Sequence, residues 1–194
     1  MEVKKMRAIG YISALCLAGL LASANQARAV VIVVGGGAAS ECYATAEYGD
    51  PSKAFDICTR ALSDQNLTVR DRAATYVNRS VVRLRVRDYS GALADVDLCL
   101  ARQPSISEAY VNRGAALLNL DRPREAVRDL DKAIMMGLDK IHLAYYNRGL
   151  AKERLNDARG AYADYKKALE INPQFDLAAQ ELKRFTVTGQ PTRS

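Results

Sequence analysis

The residues able to do chemistry in this 194-residue sequence are few, and their spacing limits what they can do. There is one histidine, His142, and there are four cysteines, Cys16, Cys42, Cys58 and Cys99. A lone histidine excludes a multi-histidine metal site, and scattered cysteines without a C-x-x-C pair exclude the usual zinc spacings. A histidine-dependent triad would have to use His142, with nothing to spare. Arginine precedes aspartate by sixteen residues three times: Arg79 and Asp95, Arg113 and Asp129, Arg148 and Asp164. Such pairs fix register rather than move protons, and exposed ones contribute about 0–1 kcal/mol each. A second set recurs 34 and 35 residues apart, as the three arginines do. Asn78, Asn112 and Asn147 are each followed, seven residues on, by Arg85, Asn119 and Arg154. An amide both donates to and accepts from a peptide backbone, and a guanidinium holds a carboxylate in a fork. Such residues can bind a partner's backbone or carboxylate, or can be the recurring structural choice of the repeat. No catalytic residue, metal ligand or cofactor is expected, and the chain is not expected to be an enzyme.

One run tempts towards cofactor chemistry. Val30 to Val34 followed by Gly35-Gly36-Gly37-Ala38-Ala39-Ser40 resembles the opening of flavin- and nicotinamide-dependent oxidoreductases, whose glycines let the backbone approach a pyrophosphate. The third glycine of that pattern is replaced by Ser40, and no further parallel strands follow. Residues 30–40 are therefore expected to be a flexible glycine-rich linker, with dinucleotide binding through Gly35–Gly37 as the alternative.

The residues before that linker read as an address. Lys4, Lys5 and Arg7 are basic, Ala8 to Ala24 carries no charge, and small residues alternate at Ala22-Ser23-Ala24 and Ala27-Arg28-Ala29. That order is a secretory signal peptide over residues 1–29, cleaved after Ala29 or Ala24. The alternative is an uncleaved helix that tethers the protein to a membrane, the only membrane contact expected. Export predicts a periplasmic or secreted location and a disulfide-permissive compartment. Of the formal charge of +6, half leaves with the leader: 28 basic and 22 acidic residues become 24 and 21. The near-balanced remainder gives no support for nucleic-acid binding.

The rest of the chain is repetitive. Tyr76, Tyr110 and Tyr145 stand 34 and 35 residues apart. Sixteen residues after each comes Ala92, Ala126 or Ala161. Four further on stands Val96, Leu130 or Tyr165, and three beyond that Cys99, Ala133 or Ala168. Pro104 and Pro173 close two of the units, with Leu138 in the equivalent place of the middle one. Within Ala126, Val127, Leu130, Ala133 and Ile134 the apolar residues fall three or four apart, as on one helical face. Asp88, Asp121-Arg122-Pro123 and Asn156-Asp157 interrupt the helices, and no alternating strand pattern follows residue 40.

This pattern resembles the tetratricopeptide repeat (TPR). The resemblance implies an all-α, right-handed solenoid of antiparallel helix pairs over residues 41–185. It would comprise three full repeats, an N-terminal variant repeat and a capping helix over residues 174–185, followed by a disordered tail over 186–194. Small residues such as Gly114 and Ala126 let paired helices approach, and each unit buries its apolar face on the next. Cys42 falls where Gly114 and Gly149 stand, and Cys58 where Val96, Leu130 and Tyr165 stand. Those places face each other in such a hairpin, which implies a Cys42–Cys58 disulfide. Cys99 replaces a core alanine and is expected to be buried and inert, while His142 is expected in a solvent-facing loop. The resemblance further implies a concave groove lined by the first helix of each pair. Asn78, Arg85, Asn112, Asn119, Asn147 and Arg154 are its expected ligands, with Val77, Val81, Val111, Ala115, Tyr146 and Leu150 between them. The lysines with which some family members clamp acidic C-termini are missing, Val77 and Val81 standing at such places. The expected role is a scaffold or adaptor of the cell envelope that holds a segment of a partner protein, with no small-molecule substrate.

Overall fold

A computed structural model describes residues 2–5, 32 and 36–188. Among the described residues a strand β1 (Glu2–Lys5) precedes nine helices: α1 (Ala38–Ala46), α2 (Pro51–Ser63), α3 (Val69–Arg85), α4 (Tyr89–Leu100), α5 (Ser107–Asn119), α6 (Pro123–Met136), α7 (Ile141–Arg154), α8 (Ala158–Ile171) and α9 (Asp176–Leu182). A second strand, β2 (Phe185–Thr188), follows them. Each helix packs on its neighbour in sequence, and the odd-numbered helices α1, α3, α5 and α7 also pack on one another. That is a solenoid of four helix pairs closed by a short ninth helix, as the resemblance implies.

Local chemistry sets the helix ends. Asp50, Thr68, Asp88 and Asp157 accept hydrogen bonds from the third helical amide of α2, α3, α4 and α8, which supplies one of the partners a helix start lacks. The α6 start has no such side chain and uses Pro123, whose missing N–H needs no partner. The turn within each full pair is the same three times over. Arg87, Asp121 and Asn156 adopt φ of 65°, 56° and 62°, and the next amides, of Asp88, Arg122 and Asp157, return to the carbonyls of Arg83, Leu117 and Lys152 at 2.8–2.9 Å. This left-handed closure satisfies the last carbonyls of α3, α5 and α7. A β-carbon is disfavoured there by roughly 1–2 kcal/mol, asparagine and aspartate excepted in part. Arg87→Gly is therefore expected to stabilise the protein by about 0.5–1 kcal/mol, part of the relief being offset by the freer unfolded chain. Asn156→Gly should give less. Urea titrations of the two variants check the order.

The core runs the length of the solenoid and is built on a small-against-large rule. A β-carbon on Gly114 would lie 2.8 Å from Leu130 Cγ, and one on Gly149 would lie 2.5 Å from Tyr165 Cε1. Leu130 and Tyr165 have no solvent exposure, so neither ring nor branch has room to yield. In the α1–α2 pair the same two places hold Cys42 and Cys58, which form a disulfide with 4.7 Å between their Cα atoms.

Several boundaries differ from expectation. The linker expected over residues 30–40 ends early, because α1 starts at Ala38. Gly37 opens that helix at φ 50°, and the Gly36 amide is fixed 2.7 Å from Asp71 Oδ1. That contact and a hydroxyl from Thr68 hold the Asp71 carboxyl below the usual carboxylate range. The only sheet among the described residues is a two-stranded antiparallel one, so the parallel sheet a dinucleotide fold requires is not formed by them. The capping helix is shorter than residues 174–185, since Phe175 ends up as its cap and Phe185 enters β2. The tail expected to be disordered begins instead as strand, Thr186 to Thr188 pairing with Lys4 to Glu2; residues 189–194 lie outside the described residues. Of the leader over 1–29, β1 is described and the rest lies outside. Among the described residues no helix is long and apolar enough to cross a membrane.

Candidate functional site

The three asparagines lie in register, one each on α3, α5 and α7. Asn78, Asn112 and Asn147, the expected groove ligands, have 0% exposure. Their apolar companions are equally covered: Val77, Val81, Val111 and Ala115 at 0%, and Tyr146 and Leu150 at 2%. A buried amide needs hydrogen-bond partners, whether from its own chain or from a ligand that replaces them.

The second row does something else. Arg85 donates from Nη1 to the Ala46 carbonyl at 3.0 Å and from Nη2 to the Gly49 carbonyl at 2.7 Å. Arg154 donates from Nη1 to the carbonyl of Leu118. Each arginine thus closes the C-terminal end of an earlier odd-numbered helix, α1 or α5, where carbonyls lack intrahelical partners. Asn119 is too short to reach across and donates to Ala115 O of its own helix at 2.8 Å. The guanidiniums expected to bind a partner's carboxylate are, in this structure, partly committed to joining one repeat to the next.

The Arg–Asp pairs are more buried than a surface pair. Arg113 meets Asp129 in a fork, Nε to Oδ2 and Nη2 to Oδ1 both at 2.7 Å. Arg79 with Asp95 and Arg148 with Asp164 repeat that geometry at 2.6–2.9 Å. The carboxylates are buried, Asp95 at 1%, Asp164 at 3% and Asp129 at 8% exposed. Each arginine also reaches back to the preceding pair: Arg113 to Asp97 at 3.0 Å, Arg148 to Asp131 at 2.6 Å and Arg79 to the Thr59 hydroxyl at 3.2 Å. Their guanidiniums stack 5.2–5.7 Å from the rings of Tyr76, Tyr110 and Tyr145. The hydrogen bond to Asp129 raises the Arg113 guanidinium pKa above its ordinary range, and at Arg148 burial acts to lower the value but Asp164 and Asp131 together outweigh it and raise it. These second partners escaped the spacing rule, although Asp95-x-Asp97 and Asp129-x-Asp131 signal them.

The remaining reactive groups are quiet. Burial pushes the Cys99 thiol up to about 12, leaving it protonated and unreactive. His142 is not in a loop: it lies near the start of α7, edge-on to Phe175 at 5.1 Å and 3.4 Å from Asn172. Burial lowers its pKa. Among the described residues no three His, Cys, Asp or Glu side chains cluster in a way that could hold a metal ion.

Comparison with known proteins agrees with this architecture. Residues 107–136 and 142–175 match the family model described as tetratricopeptide repeat. The human DnaJ homolog subfamily C member 7 is 26% identical over 94 residues, 48% of this chain. The match spans only 19% of that relative's length. Among solved structures, the Arabidopsis OM64 TPR domain superposes with a TM-score of 0.57 at 26% identity, over 60% of this chain and 96% of that one. The second TPR domain of human RPAP3, solved with the HSP70 peptide SGPTIEEVD, gives 0.55 at 22% identity over 60% and 96%.

Proposed function

We propose that this tetratricopeptide-repeat protein is an exported scaffold of the cell envelope that holds a segment of a partner protein along α3, α5 and α7. The observation that carries the reading is the register of Asn78, Asn112 and Asn147 on three successive stacked helices. An extended backbone lying across the stack would meet one amide per repeat, each able to donate and accept. The RPAP3 domain binds an acidic peptide with the same fold. Here Val77, Val111 and Tyr146 immediately precede the asparagines, so an apolar segment suits the face better than an acidic one. Because the asparagines are buried, binding requires this face to open.

Cross-linked pull-down from the envelope tests this. Asn112→Ala with Asn147→Ala is expected to lower partner recovery at least tenfold while the helical circular dichroism is kept. Equal recovery from a folded variant would discard the groove assignment and leave the asparagines as buried structural amides.

Export is supported by the order basic segment, apolar run and alternating small residues, and by the disulfide. A retained N-terminus is the second reading, favoured by the pairing of β1 with β2. The mass of the protein recovered from cells separates the two, since an intact Met1 contradicts cleavage.

A further inference from the structure

β1 joins the two ends of the chain. It pairs antiparallel with β2, Val3 opposite Val187 and Lys5 opposite Phe185, and lies along α8. A two-stranded ribbon this short is marginal in water, so its side-chain anchors matter. Val3 is half-buried against the main core. Lys5 Nζ is 2.5 Å from Glu153 Oε2, on a side chain only 2% exposed. Glu153 also accepts from Tyr165 Oη at 2.7 Å and from Arg184 Nη2 at 2.6 Å, while Arg184 Nη1 pairs with Glu181.

Taking β1 away changes two things at once. β2 is left with an unpaired edge, a row of amides and carbonyls that another strand can complete. Glu153 and Glu181 are left sharing a single guanidinium, a net charge of −1 where Lys5 balanced it, which favours the return of a cation. One ligand meets both demands: an extended segment carrying lysine opposite Phe185 and an apolar residue two positions earlier. We infer that the β2 edge and the Glu153 pocket form a strand-docking site for an extended basic segment of a partner protein, filled by β1 in the intact chain. Removal of the leader opens it. The export reading decides only when the site opens, not what it takes.

The probe is a fluorescent peptide of residues 1–7, MEVKKMR. The intact wild-type chain is expected to bind it at least tenfold more weakly than the full chain carrying Val3→Asp and Lys5→Glu, whose own strand is displaced. In that opened background Glu153→Gln should weaken the peptide at least tenfold, and a peptide with Lys5→Glu should not bind. Lys5→Ala alone serves as the milder opening should the double variant fail to fold. No saturable binding by a folded opened variant, or binding indifferent to Glu153→Gln, overturns the site. Opened chains that instead dimerise by exchanging β1 with wild type, seen by light scattering, make a second copy the occupant and overturn the partner. An intact Met1 on protein from cells refutes leader removal and leaves the peptide result standing.

Discussion

Arg113→Ala is expected to lower the stability of the solenoid by about 3 kcal/mol, the largest loss from any single side chain in the Arg–Asp ladder. The substitution strips Asp129 of both arms of its fork and Asp97 of its partner. Breaking a buried pair by removing one member costs roughly 3–5 kcal/mol, because the other charge stays behind in a poorly solvated place. Asp129 keeps 12% of its side chain exposed, which puts the expected value at the low end. Arg148→Ala should cost less, since Lys152 Nζ remains 2.8 Å from Asp164. Asp97→Ala should cost at most about 1 kcal/mol, as that carboxylate is 55% exposed. Arg113→Met with Asp129→Leu should recover most of the loss, since apolar side chains of similar size replace a buried pair at little cost. Urea unfolding at constant m-value measures all four. If Arg113→Ala and Asp97→Ala lie within 0.5 kcal/mol of each other, the fork contributes no more than a surface pair.

That ladder shows which part of the molecule is legible in the residues and which is not. The sixteen-residue interval names the partners, because both lie within one helix pair whose turn has a fixed length. Burial is not in the interval. It comes from the stacking tyrosine and from the carboxylate of the preceding pair, both of which depend on how units pack. The same limit applies to the arginines of the second row. Arg85 and Arg154 stand seven residues after Asn78 and Asn147, and so close to the same helical face, but a guanidinium on a long stem reaches backwards to a neighbour's carbonyls as easily as outwards. Spacing fixes the face a side chain leaves from and not the atom it finds. The ribbon of β1 and β2 is harder still. Its pairs join residues as far apart in the chain as Glu2 and Thr188, its strands are four residues long, and Phe185 fits an apolar helical face with Leu182 as well as it fits a strand. By contrast the small-against-large rule is legible throughout, because it is a relation between two volumes at fixed positions: Gly114 with Leu130, Gly149 with Tyr165.

At the N-terminal pair that rule meets its exception, and the exception carries the second large expected effect. Replacing both Cys42 and Cys58 with serine is expected to cost about 3 kcal/mol, the chain-entropy value for a loop closed over a separation of 16 residues. The terminal pair has a neighbour on one side only, and α1 is otherwise tied by the Gly36 contact to Asp71 and by Arg85 on the carbonyls of Ala46 and Gly49. The loss should therefore be local, with hydrogen exchange accelerating across α1 and α2 before α5 to α8 respond. Packing and cross-linking can be separated at this site. Cys42→Gly with Cys58→Leu installs the pair that joins α5 to α6, where the glycine leaves room for the leucine branch. If the bridge substitutes for that contact, the grafted variant should be more stable than the double serine variant and indifferent to dithiothreitol. The wild type should lose stability in dithiothreitol to the level of the serine variant. Wild-type unfolding unchanged by complete reduction, verified by thiol titration, would show that the cysteines pack as core residues and that the bond between them adds nothing. A graft no better than serine would instead show that the α1–α2 pair has diverged beyond the small-against-large geometry and depends on the covalent tie itself.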